Sequence, residues 1–328
     1  MTLSFMKNFW LKLKKPIIAL APMAGVTDSA FRQICKKYGA DVVYSEMISV
    51  DALAHNSKKT LAMLEFSKKE KPIVIQLFGK KSELFALAAK LVEQKGADGV
   101  DINFGCPTPK IFKCGGGASL MRDLDLCYEI IKATCLAAKI PVSIKIRSSI
   151  GKITALDLVK KIKDLPVAAI MVHGRSYERG FNGEVDLAMI KKVKDNFSAR
   201  GGSAFGGKGI VLGNGGIYSP EQAKIMLAKT EVDGIGLAQG VLGKPWLFKQ
   251  IKDYLQTGNF LEVDFKQIKK TALEHAALNY KLKGKLGILE MRKHLAWYFK
   301  GFEGANVLRQ KLIKVDSLKE IKNILKDI

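Results

Sequence analysis

Ala169-Ile170-Met171-Val172-His173-Gly174-Arg175 is a run of apolar residues closed by a histidine, a glycine and an arginine. The run has no polar alternation. A strand buried on both faces of a parallel sheet reads in this way. Similar runs stand at 17–21, 42–45, 73–77, 99–103, 142–147, 210–214 and 234–238, which with 169–173 makes eight. Helical patterns lie between them, among them 82–95, 124–138, 154–163 and 220–228. Ser219 before Pro220 marks a helix start, because proline has no N–H to leave unpaired in the first turn. Eight alternating β and α units over about 240 residues predict an α/β fold, a (β/α)8 TIM barrel. A doubly wound sheet is the competitor. It normally carries G-x-G-x-x-G after its first strand, and Pro22-Met23-Ala24-Gly25 is not that pattern.

Beyond about residue 250 the pattern changes. Stretches 265–283, 286–300, 306–314 and 317–325 are helical in period, with no strand-like run between them. They predict a C-terminal helical-bundle domain over 251–328, after a barrel over 1–250. The glycine-rich stretch 201–207 reads as a flexible loop.

The 328 residues carry a net charge of +23. From 249 to 328 there are 17 Lys and Arg against 9 Asp and Glu, so the basic character is shared by both parts. A polyanion partner is one reading, since Lys and Arg on phosphates release counterions. A solvated, lysine-rich surface is another, because net charge speaks to partners and solubility and not to fold; membrane-surface binding is a third, with no long amphipathic basic helix outside the C-terminal region to carry it. The five cysteines, Cys35, Cys106, Cys114, Cys127 and Cys135, form no C-x-x-C pair and no zinc spacing. No metal is expected, and reduced thiols in a cytoplasmic setting are. Lys7 to Lys15 followed by the apolar stretch 16–24 reads better as the approach to a first strand than as a signal peptide. No apolar run is long enough to cross a bilayer, so no membrane partner is expected. The chain is expected to act as a monomer.

A barrel of this kind builds its active site at the C-terminal ends of its strands. Pro22, Met23 and Ala24 follow the first strand and Glu46 the second. Gln76 closes the third, and Asn103, with Cys106 beyond it, the fourth. Lys145 and Arg147 close the fifth and His173 and Arg175 the sixth. Asn214, Gly215 and Gly216 follow the seventh, and Ala238 and Gln239 the eighth. One polar residue at such a place is usually satisfied by a neighbour. Eight strands sharing the habit point to a site. The glycine-rich turns after the seventh and eighth strands suit a phosphate, held by backbone N–H groups.

The set Ala-Pro-Met-Ala-Gly-Val-Thr-Asp-Ser-Ala-Phe-Arg (21–32), Asn-Phe-Gly-Cys-Pro (103–107), Gly-Gly-Gly-Ala-Ser-Leu-Met (115–121), Lys145-Ile146-Arg147, His173-Gly174-Arg175, Gly213-Asn214-Gly215 and Gly243-Lys244-Pro245-Trp246 resembles the motifs of tRNA-dihydrouridine synthases, in that family's order. Residues 291–301 resemble the family's helical RNA-binding domain, particularly in its bacterial B class. The resemblance implies FMN across the barrel mouth, recycled by NADPH, and tRNA as substrate. It implies that Pro22, Met23 and Ala24 approach the flavin ring, and that Gln76 and Lys145 bond its pyrimidine-like edge. It places His173 near the phosphate or ring, and Asn214, Gly215, Gly216, Ala238 and Gln239 at the phosphate. Asn103 would bond the bound uracil. The chain departs from the family in having Ala238-Gln239 where Gly-Arg is common, and Gly216 where an acidic residue is common.

Within that resemblance Cys106 has a chemical task. Uracil is a conjugated enone, so hydride at C6 leaves an enolate that needs a proton at C5. A neutral thiol is a usable general acid near neutral pH. A buried structural cysteine is the alternative; Cys114, in the same loop, matches no required position. Arg292, Lys293 and His294, with Arg175, are the expected RNA contacts, because a uridine must leave its stack to meet the flavin and phosphate contacts offset that cost. Trp297 reads equally as RNA-facing or as core. A flavoenzyme acting on a free pyrimidine, the same chemistry on ribosomal RNA, and an RNA-binding barrel without flavin stay open.

Overall fold

The computed structural model describes residues 8–198 and 209–326; the expected loop 201–207 lies outside the described residues. Eight strands form a closed parallel barrel: β1 (Ile17–Leu20), β2 (Val42–Ser49), β3 (Ile73–Phe78), β4 (Gly99–Phe104), β5 (Val142–Arg147), β6 (Ala169–His173), β7 (Ile210–Asn214) and β8 (Gly234–Leu237). Each strand pairs with the next in sequence, and β8 closes onto β1 with Ile17 opposite Gly234.

The expected strands and the observed ones differ most at β2. Glu46 reads as the polar end of an apolar run. The strand instead passes through a register shift between Tyr44 and Met47, then pairs Met47, Ile48 and Ser49 with Gln76, Leu77 and Phe78. A bulge lets pairing continue past a polar residue. A small hairpin, Ser149–Ile150 with Ile153–Thr154, has no counterpart in the sequence pattern.

The main barrel helices are α1 (Ser29–Lys37), α2 (Ser82–Gln94), α3 (Leu124–Ala137), α4 (Ala155–Lys161), α5 (Leu187–Ser198), α6 (Pro220–Thr230) and α7 (Leu247–Thr257). Two short helices, Val50–Ala54 and Lys58–Ala62, take the place of a long one between β2 and β3. Caps set several starts. Asp28 accepts from Phe31 N at 2.9 Å to open α1, and Thr154 with Asp157 forms a capping box on α4.

Alternating side chains divide the apolar residues into two layers. Outward ones, including Ile75, Ile102, Ile144 and Val172, pack under the helices. Inward ones, including Ile17, Val42, Val74 and Leu212, cluster together with Trp10. On β4 the inward positions are Gly99, Asp101 and Asn103, so this part of the interior turns polar toward the C-terminal end.

The chain ends in α8 (Phe265–Lys283), α9 (Lys285–Tyr298), α10 (Ala305–Leu312) and α11 (Leu318–Lys326). Ala272, Ala276, Ile288, Met291, Leu295, Leu312 and Ile321 form their shared core, which Trp246 joins from the end of the barrel. Helix α7 crosses position 250, and its Leu247, Phe248 and Ile251 belong to the barrel core. Helix α1 is the joint between the two parts. Phe31 stacks near His275 and His294, with ring centroids 5.5 and 5.2 Å away. Tyr38 Oη lies 2.6 Å from Thr271 Oγ1. Lys283 donates to Asp28 at 2.6 Å.

Candidate active site

The strand ends and the loops beyond them surround a cavity of about 370 Å3. Pro22, Met23, Ala24, Gln76, Asn103, Cys106, Lys145, His173, Arg175, Asn214, Gly215, Gly216, Ala238 and Gln239 all line it. These residues are scattered over more than 200 positions of sequence. The barrel gathers them because parallel strands all end on one face.

Loop 22–28 is folded on itself. Met23 N donates to Thr27 Oγ1 at 3.1 Å and Thr27 N to Met23 O at 3.0 Å. Arg32 Nη1 donates to Thr27 O at 2.7 Å, so α1 holds the loop from below. Lys293 of α9 donates to Gly25 O from the helical part, and Gly25 N donates to Glu46 Oε1.

At the β4 end, Asn103 Oδ1 accepts from Gly105 N at 3.0 Å and Cys106 N at 2.8 Å. Its Nδ2 donates to Gln76 Oε1 at 2.8 Å. Gln76 Nε2 donates to Asp101 Oδ2 at 2.7 Å, and Ser143 Oγ donates to Asp101 Oδ1 at 2.6 Å. The sequence suggests Asn103 as a partner for a ligand ring; here it shapes the loop that carries Cys106. The thiol itself is partly exposed to the cavity, and Sγ donates to Thr108 Oγ1 at 3.2 Å. On the far side of that loop Ala118 N donates to Cys106 O at 3.0 Å.

Lys145, Arg147 and Arg175 face the cavity as cations. Burial pulls Lys145 down to about 8; Arg147 lowers it further, while Asp101 and Cys106 draw it back up. Arg147 is 1% exposed. Its Nε donates to Gly105 O at 2.9 Å and its Nη1 to Ser176 O and Gly180 O at 2.8 and 2.7 Å, so it ties the Cys106 loop to the loop after β6. Arg175 Nε donates to Gly183 O at 2.8 Å. Burial first, then Lys145, Arg147 and Arg175, holds His173 well below the usual imidazole value, so its ring is neutral at physiological pH. Burial likewise raises Asp101 to about 6, against the hydrogen bonds from Gln76 and Ser143 and the charge of Lys145.

The turn after β7 suits an anion. At Gly215 a Cβ would lie 2.5 Å from His173 Cδ2, and at Gly216 it would lie 2.9 Å from Val185 Cγ2, so only bare backbone fits there. Tyr218 Oη donates to Gln239 Oε1 at 3.0 Å, which turns the Gln239 amide nitrogen the other way as a donor. A cavity that presents Lys145, side-chain amides, bare backbone and Arg175 fits a flavin with a phosphorylated tail.

Phe181 and Tyr218 line the cavity, and buried Asp101 bonds the lining residue Gln76; the sequence pattern singles out none of the three. Phe181 is 56% exposed, lines the cavity, and lies over the Arg147 guanidinium with 5.5 Å to its centroid. An aromatic between glycines, in Gly180-Phe181-Asn182-Gly183, is the signal that could have found it.

The expected RNA contacts separate. Lys293 reaches the rim loop, as above. Arg292 donates to Val315 O at 2.8 Å and Lys314 O at 3.1 Å, where it secures the turn between α10 and α11. His294 is corrected outright: it is 1% exposed, its ring is enclosed by Phe31, His275 and Trp297, and no RNA can reach it. Burial, then His275, Lys293 and Lys283, keeps it neutral. Trp297 is half-buried, packs its ring against His294 with centroids 5.1 Å apart, and lines the cavity.

Residues 19–328 match the family model described as dihydrouridine synthase. A probable tRNA-dihydrouridine synthase 1 of Synechocystis sp. is 35% identical over 309 residues, 93% of this chain and 84% of that protein. A tRNA-dihydrouridine synthase B of Shewanella oneidensis is 35% identical over 291 residues, 88% of this chain and 87% of its own length. Among solved structures, histamine dehydrogenase from Rhizobium sp. superposes with a TM-score of 0.54 at 13% identity, over 80% of this chain. This chain spans about half of that protein, 49% of its length, and the likeness is one of fold. No helix among the described residues is long and apolar enough to cross a membrane.

Proposed function

Because this chain belongs to the dihydrouridine synthase family, we propose that it reduces uridine in the D-loop of tRNA to 5,6-dihydrouridine, with FMN bound in the barrel mouth and NADPH as reductant. One observation carries the reading: a thiol held by two loops stands in the wall of a cavity that also presents Lys145, His173 and a glycine-lined turn that suits an anion. When bound, the flavin supplies the hydride for C6 of the uracil. Lys145 and Gln76 would hold the pyrimidine-like edge of the cofactor, and Lys145 as a cation favours its anionic reduced form. Gly215, Gly216, Gln239 and Arg175 would hold the phosphate. Cys106 delivers the proton to C5, and its hydrogen bond to Thr108 fixes where the thiol points at rest. Phe181 and Trp297, at the cavity wall, offer aromatic faces to an extruded base. The helical bundle of α8 to α11 and the net charge of +23 support a folded RNA as substrate.

The test is a Cys106→Ala variant together with mapping of dihydrouridine in RNA from cells with and without the gene. The variant should keep its yellow colour and the reduction of its flavin by NADPH, and lose RNA reduction. Full RNA reduction by the variant removes the proton-donor role. Activity on free uridine and none on tRNA transcripts moves the enzyme to the free pyrimidines, and dihydrouridine missing only from ribosomal RNA changes the substrate. A colourless protein that FMN does not turn yellow removes the flavin.

A further inference from the structure

Asp101 is fully buried inside the barrel, and the reaction proposed above makes no use of it. Its two oxygens accept from Ser143 Oγ at 2.6 Å and Gln76 Nε2 at 2.7 Å. Gln76 Oε1 then accepts from Asn103 Nδ2 at 2.8 Å, and Asn103 Oδ1 accepts from the backbone N–H groups of Gly105 and Cys106. Each amide side chain has one accepting and one donating end. Either amide could be turned over if it stood alone. Here both ends of the chain are unambiguous: an ionised carboxylate only accepts, and backbone N–H groups only donate. The two amides between them can satisfy both ends in one orientation alone.

We propose that Asp101 is a positioning residue, which sets the direction of the relay Asp101–Gln76–Asn103 and so fixes the Cys106 loop over the cavity. Only a carboxylate leaves the relay one direction: an amide at position 101 can keep its oxygen on Gln76 if Ser143 turns its hydroxyl to Val100 O, or present its nitrogen to Gln76 instead. That would reverse Gln76 and Asn103 and bring a donor against the Cys106 N–H. A buried donor facing a donor is lost as a hydrogen bond and keeps its desolvation cost. Arg147 and Ala118 N–H then remain to hold the loop from the other sides. The catalytic meaning of the relay rests on the reading of Cys106 given above; the relay itself does not.

The experiment is a polarity cycle on the flavin-loaded protein without RNA, read by hydrogen exchange at the Gly105 and Cys106 amides. Asp101→Asn should speed exchange there by about tenfold or more, the loss of a buried hydrogen bond. Asn103→Asp should instead lower stability in urea unfolding, because Gln76 Oε1 loses its donor and faces a second carboxylate while the loop amides keep an acceptor. The double variant Asp101→Asn with Asn103→Asp reverses both bonds of Gln76 consistently. The carboxylate, now at position 103, accepts from the loop and from Gln76, and Gln76 Oε1 accepts from the amide now at position 101. The double variant should recover most of the protection that Asp101→Asn loses and most of the stability that Asn103→Asp loses. Unchanged exchange in Asp101→Asn overturns the proposal, and so does a double variant no better than the singles, in exchange or in folding. If the Asp101→Asn single does not fold, recovery of Asn103→Asp by the second change still decides. RNA reduction is measured separately. A wild-type protein that shows the cycle and reduces no RNA would fail the functional reading and leave the relay standing.

Discussion

Replacing Glu70 by Gln tests how the loop after β1 is held. Glu70 is 0% exposed and Arg32 3%. Glu70 Oε2 accepts from Arg32 Nε at 2.6 Å, while Oε1 accepts from Ser29 Oγ and from Ser67 N, both at 2.6 Å. Gln is nearly isosteric, so no cavity forms. It removes the charge, and it turns an N–H toward either Arg32 or the Ser29–Ser67 pair. At 2.6 Å and an effective dielectric constant of about 20, the gross attraction is roughly 6 kcal/mol. Breaking such a pair while leaving its partner buried costs about 3–5 kcal/mol. For a chain of this size that lowers Tm by roughly 10 °C, at about 2–4 °C per kcal/mol. Arg32 also donates to Thr27 O, so the loop from Met23 to Asp28 should loosen and flavin affinity should fall with stability. The assays are thermal and urea unfolding, with flavin titration by fluorescence. A double variant, Arg32→Met with Glu70→Met, should recover much of the loss, because a buried pair exchanged for apolar side chains leaves no orphaned charge. A cost for Glu70→Gln under about 1 kcal/mol, or a double variant worse than the single, refutes the reasoning.

Gly117→Ala should disturb Cys106 without unfolding the barrel. Gly117 has φ +62, and a Cβ there would lie 2.8 Å from Cys106 O and 3.0 Å from its Cβ. The left-handed backbone costs about 1–2 kcal/mol and the crowding about 1–3, and the surface loop yields before the core does. Alkylation of Cys106 should change rate and RNA reduction should fall by about tenfold or more, while flavin stays bound; wild-type values for both would count against the packing argument. The buried histidines give a pH dependence. His275 lies at about 4, lowered by burial with Asp28 opposing, and His294 is also well below its ordinary value. Both folded values lie under the unfolded one, so their contribution is present above about pH 6.5 and is lost as pH falls. For His275 this amounts to about 3 kcal/mol between pH 6.5 and 4. Asp101, raised to about 6, acts with the opposite sign over a similar window, its contribution being lost as pH rises from about 4 through 6. The measurement is therefore a difference: His294→Phe should flatten the stability–pH curve relative to wild type, and an unchanged slope would show that this histidine titrates normally.

Much of this protein is local and could be read from the chain. The strands were legible because a barrel buries both faces, so a strand and a continuous apolar run are nearly the same thing. Cys106, Lys145 and His173 were legible because they stand where such runs stop. The failures came from residues whose direction is decided by packing. His294 reads as part of a basic Arg-Lys-His tract, yet it lies on the stripe Ile288, Met291, Leu295, Tyr298, the buried face of α9. The period was in the sequence, but the polar residue concealed it. Asp101 stands inside the run 99–103, and nothing in that run marks its role. Only the register of β3, β4 and β5, with Gln76 opposite Asp101 and Asp101 opposite Ser143, shows that it points inward between two donors. The sequence by itself determined which segments become strands, where they end and which chemical groups stand at those ends, because period and composition act over a few residues. Tertiary structure alone decided which groups meet: closure of the sheet and the docking of α8 and α9 on α1 set distances between residues far apart in the chain, and no local pattern carries that information.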